Sequence, residues 1–489
     1  MLDILSIFLD ETKNLNWCHW KSNVRLEQAL NGETDLDILV DSEQIEIFKI
    51  KLKKCKFFEL KSLPWNNYSG VTNWIGHDAN TGKLIHIHLH ERLLTGLKSV
   101  KDYSLPWTKL FLEATIKDKN SGFPIIPPAL EVHLLMAREL AKTSIISRYY
   151  FLKFKKTIID RFIIEEMRAL LNLSKNKDII LWGNILWGNN NSREISKILI
   201  SKDWSEFRNL NKLSKLTHNI LNQYTNKSWY ISFLLKVLNV SYRNITLYLS
   251  NFFEKFSTKM TLKKKAPIIA IIGCDGSGKT SLNDALQRWL DWKVESKTLY
   301  LGSKDNLIRI LEKIFKNNKS KRILNIKKDI RNKNFIKLFF SIYSAQIKLF
   351  KLKKAKYLSS KGKIILTDRF PQNEFLGHIY DSSSDLSINQ LSFLERIIFK
   401  YEKFIFQKIY SFKPDLIIKL LINPKVAKLR KPNHDFEVLM KKCSVFEKLN
   451  FEGIHKIDID ANQEFEDVLK RTKNEVWEFI NSKNKNQLI

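Results

Sequence analysis

The stretch "PIIAIIGCDGSGKTSL", residues 267–282, constrains the fold of this 489-residue chain more than any other. Residues 268–272 are apolar and mostly β-branched, the composition of a buried strand. They run into Gly273-x-x-x-x-Gly278-Lys279-Thr280 and then into a helical pattern. Glycines let the backbone wrap closely round an anion, so that successive amides point inward. The helix N-terminus behind them adds partial positive charge. Lys279 has the reach for outer phosphates, and the Thr280 hydroxyl suits Mg²⁺. The motif reads as a phosphate-binding loop formed by Gly273, Asp275, Gly276, Ser277, Gly278, Lys279, Thr280 and Ser281. Asp275 is the odd member, because an anion beside phosphates is costly unless cations offset it. Either it faces a hydroxyl-bearing partner or it caps the loop's own backbone.

From Pro267 to the end, apolar strand runs alternate with helical stretches, which predicts an α/β domain, a parallel sheet wrapped by helices, over 267–489. The preceding residues divide by pattern. Residues 1–125 mix short strands and helices, ending at the proline-rich "FPIIPP". Residues 129–256 repeat apolar positions every three or four, predicting a helical middle segment. The polar, basic 257–266 reads as a linker.

The formal net charge of +32 raises a nucleic-acid reading, but the lysines are spread along the whole length rather than clustered, so a polyanionic partner is not favoured. Four scattered cysteines form no Cys-x-x-Cys pair, against a disulfide framework and for a reducing, cytoplasmic setting. The N-terminus carries acids early and lacks a signal-peptide pattern. The most apolar stretch, "WYISFLLKVLNVSYRNITLYLSNFF", is interrupted by Lys236 and Arg243, which predicts amphipathic helix, open to peripheral membrane contact, rather than a transmembrane span.

The loop "GCDGSGKT" resembles that of thymidylate kinases and their relatives, and further motifs support the resemblance. "KGKIILTDRF" is a strand ending in Asp368-Arg369, similar to that family's Asp-Arg-aromatic motif. "KPDLIIKLLINPKVAKLRK" resembles its Pro-Asp-Leu strand and the helix leading to its lid, and "HKIDIDANQEFEDVLKRTKNEVWEFI" its last strand and helix, with "IDA" near the adenine. The resemblance covers roughly 265–480 and implies an ATP- and Mg²⁺-dependent phosphotransferase. Lys279 and Arg430 would act on the transferred phosphoryl group, with Lys431 and His434 beside Arg430 as mobile cations. Thr280 and Asp368 would serve as metal ligands, and Asp275 and Arg369 would face the acceptor. Two departures stand out. The family's Arg-Glu-Pro-Gly segment is absent from the corresponding "KTLYLGSKDN", and Leu421 stands where an acid is usual. The acceptor is therefore expected to be a nucleotide or sugar-containing molecule other than the family's own. Bacterial surface-polysaccharide metabolism is the setting that the resemblance implies.

A second constellation lies near the N-terminus. In "ALNGETDLDILVD", Gly32 precedes Asp35-x-Asp37 at the start of an apolar strand. Side chains alternate along a strand, so both carboxylates share a face and can hold divalent metal ions round a triphosphate. This pattern resembles the nucleotidyltransferase fold, with Glu33 where serine is common. In "KLIHIHLHERL", His86, His88 and His90 share one face opposite Ile85, Ile87 and Leu89. Imidazole can replace the family's third acid as a ligand, so Asp35, Asp37, His86 and His88 are candidate metal ligands. A hydrogen-bonded structural cluster is the competing reading. Lys21, in "WCHWKSN", reads either as a phosphate contact or as a solvated lysine. The other functions left open are a nucleotide-dependent nucleic-acid-binding switch and a kinase whose N-terminal nucleotidyltransferase is also active.

Overall fold

The computed structural model describes residues 1–142, 159–201, 203–302, 330–375 and 392–486. It divides into two compact units, Met1–Thr258 and Lys259–Ile489. The division falls within 257–266.

The strands of the first unit are β1 (Trp17–His19), β2 (Leu36–Val40), β3 (Phe58–Lys61), β4 (Val71–His77), β5 (Leu84–His90), β6 (Leu93–Thr95), β7 (Tyr103–Leu105), β8 (Ile116–Lys117) and β9 (Pro124–Ile125). Its main sheet carries the order β3-β4-β5-β2-β1-β9-β8. The central pair β2 and β5 is parallel, with Asp37 opposite His88. Alternation splits β2 between two environments. Leu36, Ile38 and Val40 join Ile85, Ile87 and Leu89 in a core that also holds Phe8, Phe48 and Trp74. Asp37 and the histidines occupy the other face, where Leu39 joins a second core.

That second core belongs mostly to helices. Pro128–Lys142, Arg161–Leu173, Asn176–Trp187, Asn189–Ile200 and Phe207–Asn222 contribute Leu130, Met167, Trp187, Ile195 and Leu213 in turn, packed with Cys18, Trp20 and Leu39. The helical segment is thus continuous with the first segment through one core, because the "FPIIPP" prolines admit a short strand and then start a helix. Pro124 enters β9 and Pro128 opens the buried helix. Of the expected helical segment 129–256, residues 143–158 and 202 lie outside the described residues. The Trp229–Ser250 helix leaves Tyr230, Leu234 and Tyr248 exposed. Among the described residues no helix is long and apolar enough to cross a membrane.

In the second unit, β10 (Thr261–Leu262) bonds the Gly362 carbonyl through the Leu262 amide. The strands β11 (Ile268–Gly273), β12 (Ser296–Tyr300), β13 (Ile364–Asp368), β14 (Leu416–Leu421) and β15 (His455–Asp460) form a five-stranded sheet in the order β12-β13-β11-β14-β15. Every pairing is parallel. β11 and β14 are wholly apolar on both faces apart from Lys419, as a sheet covered by helices on both sides requires. This is the P-loop NTPase architecture, and the strand order reverses at β11, where such sheets bind ligands beyond their carboxyl ends. Three helices near that edge have explicit caps. Ser392 and Glu395 form a capping box for Phe393–Tyr410, Asn423 caps Pro424–Arg430, and Asp435 caps Phe436–Lys448.

Candidate functional site

At the carboxyl end of β11 the loop turns through Gly276 (φ 89°) and Gly278 (φ 83°) into the helix Lys279–Leu290. A Cβ on Gly276 would lie 2.8 Å from the Ala427 carbonyl oxygen, so only glycine passes there. Gly273 is equally constrained, since a Cβ would meet Ser277 Oγ at 2.5 Å and Leu420 O at 3.0 Å. Lys279 folds back, donating to the Cys274 carbonyl at 3.0 Å. Burial pulls its ammonium below the ordinary lysine value, with Asp275 opposing that pull. Thr280 Oγ1 donates to Asp368 Oδ2 at 2.9 Å, and Asp368 Oδ1 is buried without a hydrogen-bond partner among the described residues. A hydroxyl beside a buried carboxylate with a spare oxygen is a donor set that fits Mg²⁺. Ser277 Oγ is likewise buried with no partner among the described residues, while Ser281 lies exposed in the first helical turn.

Asp275 sits in a ring of basic side chains: Lys442 at 2.8 Å, Lys279 at 3.6 Å, Arg369 at 3.7 Å and His434 at 3.9 Å. Burial alone would raise its carboxyl. The hydrogen bond from Lys442 and the charges of Lys279 and Arg369 outweigh that and lower it to about 2. Arg369 has a left-handed backbone (φ 71°), unusual for a residue with a side chain. Its guanidinium lies over the Tyr300 ring, 5.5 Å from the centroid, at the carboxyl end of β12. The residues 303–306 of "KTLYLGSKDN" lie outside the described residues. Arg430 is directed elsewhere, donating to the Ala461 carbonyl at 2.9 Å. Lys431 is exposed, and Lys428 ties the turn by donating to the carbonyls of Pro432 and His434.

Sequence reasoning missed the part played by the helix Phe436–Lys448. It supplies Lys442 to Asp275 and Cys443 to Cys274, whose sulfurs lie 2.8 Å apart. The isolated lysine in "LIIKLL" was the available signal. Buried Lys419 donates to the Glu447 and Leu449 carbonyls at 3.0 Å each, holding the end of that helix against β14. Between β14 and this helix lies a cavity of 470 Å³, lined by residues that include Cys274, Leu421, Asn423, Met440, Phe446 and Asn462.

In the first unit, the predicted acids and histidines do converge. His86 Nδ1 lies 2.9 Å from Asp35 Oδ1, His88 Nδ1 3.2 Å from Asp37 Oδ1, and His90 Nε2 3.4 Å from Asp37 Oδ1. Lys21 is no solvated lysine. It is partly buried and lies 2.8 Å from Asp37 Oδ1. Burial by itself would raise the Asp37 carboxyl, but Lys21 and the bonds from His88 and His90 hold it well below the usual carboxylate range. Burial lowers His90 to about 4, so its ring is neutral at pH 7. Burial, then the nearby charges of Lys21, Arg138 and Lys142, lower the Lys101 amine to about 7. Gly32 has a packing reason for lacking a side chain, since a Cβ there would lie 2.8 Å from the Leu84 carbonyl oxygen.

No protein-family model matches the chain. It is 28% identical over 221 residues to the uncharacterized ATP-binding protein YghR of Escherichia coli K12, covering 43% of this chain and 86% of that protein. It is 26% identical over 212 residues to the uncharacterized ATP-binding protein YghS of the same strain, covering 42% of this chain and 89% of that one. Among solved structures, a deoxyadenosine kinase from M. mycoides with bound dATP aligns over 43% of this chain and 98% of its own, at 19% identity and a TM-score of 0.28.

Proposed function

We propose that the second unit is an ATP- and Mg²⁺-dependent phosphotransferase of the nucleoside monophosphate kinase kind. In this reading the phosphoryl group passes to a hydroxyl or phosphate of a nucleotide or sugar-containing acceptor. The observation that carries it is the junction of β11 and β13. There a glycine loop, Lys279 and the Thr280–Asp368 pair meet at one point beyond the sheet. The naming of the two Escherichia coli relatives as ATP-binding proteins supports the same reading.

Each residue has work that follows from its position. The loop amides and the helix N-terminus hold the inner phosphates. Lys279 exchanges the Cys274 carbonyl for phosphate oxygens. Thr280 and Asp368 would hold a Mg²⁺ ion, whose contribution is to neutralise charge between the terminal phosphates. The cavity beside β14, with apolar Leu421, Met440 and Phe446 and the amides of Asn423 and Asn462, suits a heterocyclic base in volume and lining. Arg369 and Tyr300 lie on the opposite side of the loop strand and would receive the acceptor, with Asp275 accepting from an acceptor hydroxyl. Lys442 then takes a role beside His434, because an entering anion competes with Asp275 for both.

Incubation with γ-labelled ATP, Mg²⁺ and a panel of nucleotides, sugars and glycolipids tests the proposal. Label should move from ATP to one acceptor class in wild type and stay on ATP in Lys279→Ala. Equal transfer by both proteins would refute it. Bacterial surface-polysaccharide intermediates belong in the panel on the strength of the resemblance.

A further inference from the structure

We propose that Asp35, His86 and His88 of the first unit hold a divalent first-row transition ion of the zinc class, rather than the magnesium ion that a pair of strand aspartates suggests. The inference is independent of the kinase reading of the second unit.

Among the described residues two overlapping groups of ligand atoms occur, Asp35–His86–His88 and Asp37–His88–His90, the atoms of each lying within 4.8 Å of one another. Their electrostatics differ. Asp37 already has a cation, the partly buried Lys21 ammonium at 2.8 Å, and a second positive charge there would face that ammonium at close range. Asp37 also fixes His88. With His88 Nδ1 3.2 Å from Asp37 Oδ1, the proton belongs on Nδ1 and the lone pair on Nε2. That Nε2 lies 3.9 Å from Asp35 Oδ2. A carboxylate holding the far nitrogen of an imidazole is the usual outer support of a metal-bound histidine.

The Asp35 group completes the set. His86 Nδ1 is 2.9 Å from Asp35 Oδ1, a hydrogen bond whose proton the incoming ion would displace. Ligands each about 2.1 Å from one ion stand about 3.0–3.4 Å apart, and the two observed separations bracket that range, so small side-chain rotations suffice. His86 is 1% exposed and rigidly placed on β5, whereas Asp35 and His88 are 27% and 32% exposed. The ion would therefore be anchored on one side and open to water on the other, as in catalytic rather than structural sites. Two imidazoles and one carboxylate favour zinc-class ions, whereas Mg²⁺ prefers an octahedron of oxygens.

The test uses the untagged full chain, stripped of metal and titrated with Co²⁺ while the visible absorption is followed, with elemental analysis after Zn²⁺ loading and dialysis. A single ion per chain is expected, not displaced by millimolar Mg²⁺. His86→Ala and His88→Ala should each weaken binding at least about 100-fold, and Asp37→Asn about 10- to 100-fold as an outer support. Lys279→Ala should bind as wild type does, which separates this result from any failure of the kinase reading. His88→Gln, compared with wild type by circular dichroism and thermal melting, serves as the folding control. A wild-type chain with no cobalt spectrum, or binding retained in a folded His88→Gln variant, would overturn the proposal and leave a hydrogen-bonded structural cluster.

Discussion

The loop after β11 and the cluster on β2 and β5 both gather groups fit for phosphate or metal chemistry, but they are built from different material. The loop is made of main chain. Its amides are aimed by Gly276 and Gly278, and its side chains, Lys279 and Thr280, are adjacent in sequence. The β2–β5 cluster is made of side chains brought together by register, with Asp37 set against His88 across a parallel pair. A backbone site stands or falls with a few dihedral angles. A side-chain site can lose one member and keep its frame. The two should therefore respond differently to mutation, and independently, since they lie in separate compact units.

The largest effect expected is at Lys279. Lys279→Ala should lower ATP turnover about 1000-fold, as loss of a charge-stabilising donor in a closed site does, while leaving the metal content of the first unit unchanged. Steady-state hydrolysis or transfer rates and elemental analysis check both halves, and coupled loss of the two would break the separation. Asp368→Asn should cost about 100-fold in turnover, partly recovered at high Mg²⁺, because Thr280 and the phosphates remain as ligands. A rate insensitive to this change would remove Asp368 from the site.

A glycine pair sharpens the backbone side of the contrast. Gly278→Ala places a Cβ in open space but at a positive φ, and should destabilise the second unit by about 1–2 kcal/mol. Gly276→Ala adds a clash with the Ala427 carbonyl and should cost more, measured by urea denaturation. Equal costs would mean that the close approach is relieved easily.

The smallest effect concerns pH. Asp275 is lowered from 3.8 to about 2, so its stabilising contribution is full above about pH 4 and is lost as pH falls through about 2. Between those values wild type should lose stability more steeply than Asp275→Asn, followed by near-ultraviolet circular dichroism. Parallel curves would mean that Lys442 and Arg369 do not hold the carboxylate.

What the sequence made legible follows the same division. The loop could be read because strand, glycines, Lys279 and Thr280 are contiguous and each has a local reason. The alternation of "LIHIHLH" was also enough to place three histidines on one face, because a period of two needs no tertiary information. Lys442 could not be found, lying 167 residues from Asp275 and meeting it only through the fold. The pairing of Lys21 with Asp37 was equally hidden, since a lysine near a strand end is ordinarily solvated. The packing role of Gly32 was hidden as well, since only the fold brings the Leu84 carbonyl against it. The order β12-β13-β11-β14-β15 depends on crossovers that periodicity does not encode.

Calorimetric titration of the chain with ATP and Mg²⁺, run on wild type, Lys279→Ala and His88→Ala, tests the central claim most directly. Saturable binding at one site is expected in wild type and in His88→Ala, and its loss in Lys279→Ala. Heat that persists in Lys279→Ala, or none in wild type, would contradict the assignment of the β11 loop as the nucleotide site.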